Sequence, residues 1–129
     1  MFIRFSIEQK DSDSGHNMGI FMAMATLKDS DEMFAYEVDI ELELYNWFNK
    51  NLTVPRVQSG NSSNYYRKSG AISWFKSSAK EHIEKMRQYS QLLEAHDVTV
   101  QQLTTEKPGV IVYEDHYQIA SIPFNDTFK

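Results

Sequence analysis

Histidines and their neighbours are the residues of this chain whose types could most readily do chemistry. The four histidines are His16, His82, His96 and His116. No two of them have the i and i+4 spacing that places metal ligands on one helical face, so the sequence predicts no metal site. Cysteine is absent, which excludes a disulfide framework, a thiolate zinc site and a cysteine nucleophile. No cofactor is expected, because neither a Walker loop nor a dinucleotide glycine fingerprint is present.

Glu81 and His82 are the most suggestive pair for general acid–base catalysis, since a histidine titrates near neutral pH. Adjacent residues on a helix point about 100° apart, however, so they do not form a dyad. A hydrogen-bonded histidine at the edge of the core is the simpler interpretation of His82. The catalytic alternative is a small enzyme with a site around His82, Arg56 and Arg67, in which the arginines hold an anionic small molecule.

Aromatic side chains supply the stronger binding signal. Trp47–Phe48 ends one predicted helix, Trp74–Phe75 begins another, and Tyr65–Tyr66 lies between them. A helical stripe buries only one member of each adjacent pair, so some of these rings are expected to stay partly exposed and to anchor an interface. The alternative is that both Trp–Phe pairs pack in a helix–helix core. The predicted binding residues are Trp47, Trp74, Tyr65 and Tyr66.

Net charge argues against nucleic acid as a partner. The formal charge is -5 and the isoelectric point is near 5.3, so the summed field repels phosphate backbones. Binding would need a local basic patch, for which composition offers one candidate. Because its density of cations is close to average, we favour a solvated loop. The patch would consist of Arg56, Arg67, Lys68 and Lys76, with Tyr65 and Tyr66 interleaved.

Composition and length predict one folded domain over residues 1–129. Hydrophobic residues make up 41% and aromatic residues 13% of the chain, which is too much apolar bulk for a disordered polymer. A chain of 129 residues is expected to form one core. No uncharged stretch approaches the ~18 residues needed to cross a bilayer, and no cleavable leader is recognised. The expected compartment is the cytoplasm.

The first half of the chain predicts a strand, a short helix and one ambiguous element. Phe2 to Ile7 favours a strand, Lys10 to Gly15 a polar loop, and Gly19 to Leu27 a short helix. Residues 36–45 alternate as a strand would, but apolar residues also recur at helical steps; the length of the pattern favours a helix, because strands usually stop after ~5–6 residues. Asp29 to Asp31 precedes this element as an acidic turn with N-cap chemistry.

The apolar side chains of that second helix recur at three- and four-residue steps, and its carboxylates are expected to form a solvated face. The apolar series is Phe34, Val38, Leu42, Tyr45, Phe48 and Leu52. The carboxylates are Glu37, Asp39, Glu41 and Glu43.

The second half predicts a loop, a long helix and a terminal hairpin. Gln58 to Asn64 is rich in turn-forming residues, and whether the 58–70 loop orders on binding is left open. Ala71 to Ala95 is predicted as a helix, although a capping box from Ser78 to Glu81 would start it later. Strands are then expected from Val98 to Leu103, from Val110 to Tyr113 and from Gln118 to Ile122, with a turn at Lys107–Gly109.

Several segments over most of the chain carry a resemblance. They are Tyr45–Leu52 with Pro55–Arg56, Ala71–Lys76, Glu81–Ile83, and Lys107–Gly109 with Val112–Asp115. Together they resemble a group of short bacterial proteins usually labelled hypothetical. The resemblance implies one compact bacterial domain and implies no catalytic residue, because the group has no assigned activity.

The sequence as a whole predicts an α+β fold. A small, mostly antiparallel sheet of the N-terminal strand and the C-terminal strands would be covered on one face by two long helices and one short helix. The favoured function is a non-catalytic protein-interaction or regulatory module, because strong catalytic signatures are absent and aromatic residues are in surplus. The expected partner is another protein, and a homodimer is one way to cover the second face of the sheet.

Overall fold

The protein, described by a computed structural model over residues 1–10, 17–59, 62–65 and 71–124, has the expected α+β architecture. Three helices accompany a six-stranded sheet and a separate two-stranded hairpin in these residues. The helices are α1 (Ile20–Asp29), α2 (Ala35–Asn51) and α3 (Lys80–Glu94). The strands are β1 (Phe2–Lys10), β2 (Asn17–Gly19), β3 (Arg56–Ser59), β4 (Ser62–Tyr65), β5 (Ile72–Lys76), β6 (Gln101–Thr105), β7 (Val110–Glu114) and β8 (Gln118–Ile122).

Strand β1 organises the sheet, because three other strands pair with it. The strand order is β2-β1-β5-β8-β7, with β6 also on β1, and every pairing is antiparallel. Strand β6 pairs with β1 from Phe2 to Ser6. Strand β5 pairs with β1 at Phe2 and Ile3, whereas β2 pairs with it at Ser6 and Lys10. One edge of β1 therefore pairs with β6. The other edge pairs with β5 near its start and with β2 near its end.

Arg4 spans the division between β5 and β2. Its Nη1 donates to the Ser73 carbonyl oxygen at 3.2 Å, and its Nη2 donates to the Asn17 carbonyl oxygen at 2.7 Å. The side chain is buried, and a buried guanidinium must have such acceptors. Arg4 thus joins two strands at a place where they do not pair directly with each other.

Both faces of the central strand β5 are buried. Phe75 belongs to the main core, which fills the space between β1, β2 and the three helices. Trp74 belongs to a second cluster with Ile72 and Ile119, on which the partly buried Phe2 and Leu103 also pack. Apolar side chains are therefore favoured at successive positions of this strand rather than at alternate ones.

That burial explains why the prediction of one helix from Ala71 to Ala95 is wrong. Residues 72–76 form a strand, and the helix begins only at Lys80. A run that is apolar on both sides mimics helical spacing, so Ile72 and Phe75 appeared to continue the stripe of α3. The alternative of a later start is right, but the N-cap is Ala79 and no side chain caps the helix, so the Ser78 capping box does not form.

The other sequence predictions fare better. Helix α1, the N-terminal strand and the hairpin of β7 and β8 are confirmed, and the ambiguous residues 36–45 are helical. The loop predicted at 58–64 is wrong in part, because the backbone of β3 and β4 pairs there as a hairpin. The acidic turn at 29–31 precedes α2 but does not cap it, since the N-cap is Phe34. Residues 11–15 and the tail from Asn125 lie outside the described residues.

Gly109 offers a test of the turn that leads into β7. Its φ is +126°, and a Cβ there would overlap the Ile122 carbonyl oxygen. Gly109→Ala should lower the free energy of unfolding by at least about 2 kcal/mol, through backbone strain and the overlap. Gly19→Ala is the control, because Gly19 has a φ of -74° and a Cβ there would meet only Arg4 at 3.7 Å.

Urea denaturation monitored by circular dichroism gives both values. Gly19→Ala should stay within about 1 kcal/mol of the wild type. Equal losses in the two variants would contradict the role assigned to Gly109.

Candidate functional site

Helix α2 is turned so that its acidic side faces the protein. Glu37 and Glu41 are only 2% and 3% exposed, and they share the buried face with Leu44 and Phe48. The expectation that these two carboxylates lie in a solvated face is therefore wrong. Asp39 and Glu43 are exposed, as predicted.

The apolar side of α2 faces outward instead. Four large side chains there are between 46% and 64% exposed. We call them the α2 stripe: Phe34, Val38, Leu42 and Tyr45. The last two members of the same apolar series point inward: Phe48 is buried, and Leu52 packs partly against the core.

Glu37 fixes the N-terminal end of α2. Its Oε1 accepts the Phe34 backbone N–H at 2.9 Å and lies 2.9 Å from His96 Nε2. These two contacts, the backbone N–H first, lower the pKa of the Glu37 carboxyl, although burial opposes them. His96, which follows α3 in the chain, thereby ties the start of α2 to the end of α3.

Glu41 fixes the middle of the helix against α1. Lys28 Nζ lies 3.0 Å from Glu41 Oε1. The same ammonium group lies 5.5 Å from the centre of the Tyr45 ring, where a cation–π interaction is favourable. Because a buried carboxylate without a partner is costly, α2 is stable in this rotation only with Lys28 and His96 in place.

His82 fixes the C-terminal end of α2. Its Nε2 donates to the Asn51 carbonyl oxygen at 2.8 Å, which satisfies one of the carbonyls left free at the helix end. The ring is buried, with the Tyr117 and Trp47 rings 4.3 Å and 4.8 Å away. His82 therefore serves as a hydrogen-bonded core histidine, the simpler of its two interpretations.

The arginines of the catalytic alternative give it no further support. The backbone of Arg56 begins β3, but its side chain lies outside the described residues, as does the whole of Arg67. Lys76 belongs to the predicted basic patch, and its Nζ forms an ion pair with Glu114 Oε2 at 2.6 Å. Lys68, from the same patch, is outside the described residues.

Of the four predicted binding residues, the structure describes the side chains of two, Trp74 and Trp47. Trp74 is 1% exposed inside the second core cluster, so the expectation that it anchors an interface is corrected. Trp47 is half-buried against Phe48 and lies 5.6 Å below Lys85. Tyr65 belongs to β4 without a described side chain, and Tyr66 lies outside the described residues.

Sequence reasoning missed the α2 stripe as a surface, although a signal for it existed. Tyr36 and Ile40 lie on the side of α2 opposite to Val38 and Leu42, and they are exposed too. A helix with apolar residues on two sides cannot bury all of them in one core. The pattern thus predicted surplus apolar surface, but not which side would carry it.

Among the described residues, no group of three His, Cys, Asp or Glu side chains could hold a metal ion. None of the described helices combines the length and apolar character that crossing a bilayer requires.

Neither a protein-family model, nor a curated protein, nor a solved structure matches the chain. The resemblance to short bacterial proteins therefore stays a prediction.

The Glu37 anchor predicts a distinctive acid sensitivity. Because the pKa of Glu37 is lowered in the folded protein, its stabilising effect is complete above the ordinary value of 4.5 and is lost as pH falls through the lower folded value. Glu37→Gln should therefore be less stable than the wild type at pH 7 and should lose less additional stability below pH 4.5.

Urea denaturation between pH 7 and about pH 3 measures this difference, since stability follows proton uptake over that range. Glu43→Gln, an exposed carboxylate of the same helix, is the matched control and should follow the wild-type curve. Parallel curves for Glu37→Gln and the wild type would contradict the assigned anchor.

Proposed function

We propose that this protein is a non-catalytic protein-interaction module and that the α2 stripe is its docking surface. The observation that carries the proposal is the rotation of α2, which buries two glutamates and leaves four large apolar side chains in solvent. Contiguous apolar surface of this kind is typical of interaction sites on soluble proteins.

The stripe is continuous along the helix. Phe34, Val38 and Leu42 are four residues apart and Tyr45 follows after three, which places them in one line. At about 1.5 Å per residue the line extends for about 16 Å. This length matches three turns of a partner helix laid alongside.

Helix α1 widens the apolar surface. Phe21 and Met22 are exposed there, and the Phe21 ring lies 5.0 Å from that of Phe48. Lys28 links α1 to Tyr45 at the edge of the stripe. The exposed apolar side chains of the two helices thus lie near each other, and an apolar surface of this kind is a common way to receive an amphipathic helix.

Charge around the stripe favours a basic partner. Glu32, Asp39 and Glu43 are exposed near it, whereas Lys28 is paired with Glu41. Acidic rims select partners that bear Lys or Arg beside their apolar face. We therefore assign the occupant as an amphipathic helix of another protein with basic flanks. A second copy would bring two acidic rims together, within a chain of net charge -5.

A designed peptide tests this function. The probe is an 18-residue helical peptide with Leu at i, i+3, i+4 and i+7 spacing and Lys at the flanking positions; its control has Glu in place of every Lys. Fluorescence anisotropy should show at least tenfold tighter binding of the basic peptide, a difference of about 1.4 kcal/mol. Added salt should weaken this preference.

Variants of α2 locate the binding. Leu42→Ser should weaken binding of the basic peptide about tenfold without unfolding the protein, because Leu42 is exposed. Asn46→Ser, an exposed polar position on the same helix, should bind as the wild type does.

Two outcomes would overturn the assignment. Equal binding of both peptides, or binding unaffected by Leu42→Ser, would remove the stripe as a site for basic partners. A dimer mass in sedimentation that Leu42→Ser returns to the monomer would identify a second copy as the occupant instead.

A further inference from the structure

A cavity of about 460 Å³ opens between helices α1 and α2. The residues that line it include the exposed Phe21 and Met22 of α1 and the exposed Tyr45 and Asn49 of α2. Because exposed residues of both helices lie on its wall, the cavity reaches the surface between them. Tyr45 also belongs to the α2 stripe, so the cavity opens at one end of the proposed docking surface.

The inner wall of the cavity is built from buried residues of all three helices. Met24 comes from α1, Phe48 from α2, and Met86 and Tyr89 from α3. All four are at most 5% exposed. A space of roughly 150 Å³ is enough to hold a benzene ring. The cavity therefore has sufficient volume for a large side chain that enters from the surface.

Three aromatic rings on the wall form one cluster. The Phe21 ring stands at 83° to the Phe48 ring and at 85° to the Tyr89 ring, with centroid distances of 5.0 Å and 5.8 Å. The Phe48 and Tyr89 rings stack at 5.7 Å. Aromatic rings favour edge and offset contacts with a further ring, and methionine sulfur atoms favour contacts with ring edges. A wall of three rings, together with Met24 and Met86, is best matched by an aromatic side chain.

Charged and amide groups on the wall already bond within the protein. Glu41 pairs with Lys28. Arg4 and Gln118 donate to backbone carbonyl oxygens. A charged side chain would have to compete for these groups, whereas an apolar ring leaves their bonds intact.

From this wall we infer that the cavity receives one aromatic side chain, from the end of the partner helix that docks beside Tyr45. The inference rests on the function proposed for the α2 stripe and adds a requirement on the partner. Its amphipathic helix has basic flanks and also an aromatic residue at one end of its apolar face. A side chain that fills a desolvated pocket in this way commonly supplies much of the binding energy of an interface.

Peptides that differ at one position test for this anchor. The starting point is the basic 18-residue peptide of the docking experiment, in which the first or the last Leu of the apolar face is replaced by Phe or by Ala. Both ends are tested because a helix can dock in either direction. At one end, fluorescence anisotropy should show at least tenfold tighter binding of the Phe peptide than of the Ala peptide, a difference of about 1.4 kcal/mol. At the other end the difference should be smaller.

Two substitutions of equal bulk locate the anchor in the cavity. Ala25 is exposed on α1 and lines the cavity, so a ring placed there occupies its space. In Ala25→Phe the Phe peptide should bind no more tightly than the Ala peptide, and the Ala peptide should bind as it does to the wild type. Thr26→Phe is the control, because the exposed Thr26 does not line the cavity, and it should keep the tenfold preference.

Methionine methyl signals report on the cavity directly. Met24 and Met86 are buried on its wall, whereas Met18 is buried in the same core but not on this wall. A ring that enters the cavity shifts nearby methyl signals through its ring current. The Phe peptide should therefore shift the Met24 and Met86 signals more than the Ala peptide does, and neither peptide should shift the signal of Met18.

Equal binding of the Phe and Ala peptides at both ends, or a tenfold preference that persists in Ala25→Phe, would overturn the anchor. If Leu42→Ser still weakens binding in that case, the docking function stands and the anchor alone fails. If neither the Phe peptide nor the Ala peptide binds, the docking function and the anchor fail together.

Discussion

The pairing of two buried glutamates sets the orientation of α2, and the exposed surface depends on it. Glu37 needs His96 and the Phe34 N–H, and Glu41 needs Lys28. Since an unpaired buried carboxylate is strongly unfavourable, the helix cannot turn its apolar stripe inward without losing both pairs. Electrostatics thus overrides the hydrophobic pattern of this one helix. The outward stripe follows from that choice and is the surface that we propose for partner binding.

Polar contacts also hold the C-terminal end of α2 and the residues that follow it. His82 holds the C-terminal end of α2 at Asn51, and Gln118, itself bonded to Asp115, donates to the Thr53 carbonyl just beyond it. Polar contacts therefore hold both ends of α2. A cavity of about 460 Å³ lies beside this helix, and Glu41, Tyr45 and Phe48 line it. Surface and cavity are therefore two results of one arrangement.

Local signals in the sequence were sufficient for part of this fold. The hairpin of β7 and β8 and the existence of α2 follow from nearby residues, and the structure confirms them. The rotation of α2 does not, because Glu37 and His96 are 59 positions apart. Strand β5 was missed because burial on both faces removes the alternation that identifies a strand. The cavity was beyond prediction, since distant segments build its walls.

The divided edge of β1 has a consequence for how the chain reaches this fold. Phe2 pairs with both Lys76 and Thr105. The N-terminal half of β1 can therefore pair with β5 and β6 only after those strands have been synthesised. Closing such long loops is entropically unfavourable and slows folding. Until β5 and β6 have been synthesised, those stretches of β1 have unpaired edges that could pair with other chains. A nascent chain of this protein is thus expected to depend on chaperones until most of its length has left the ribosome.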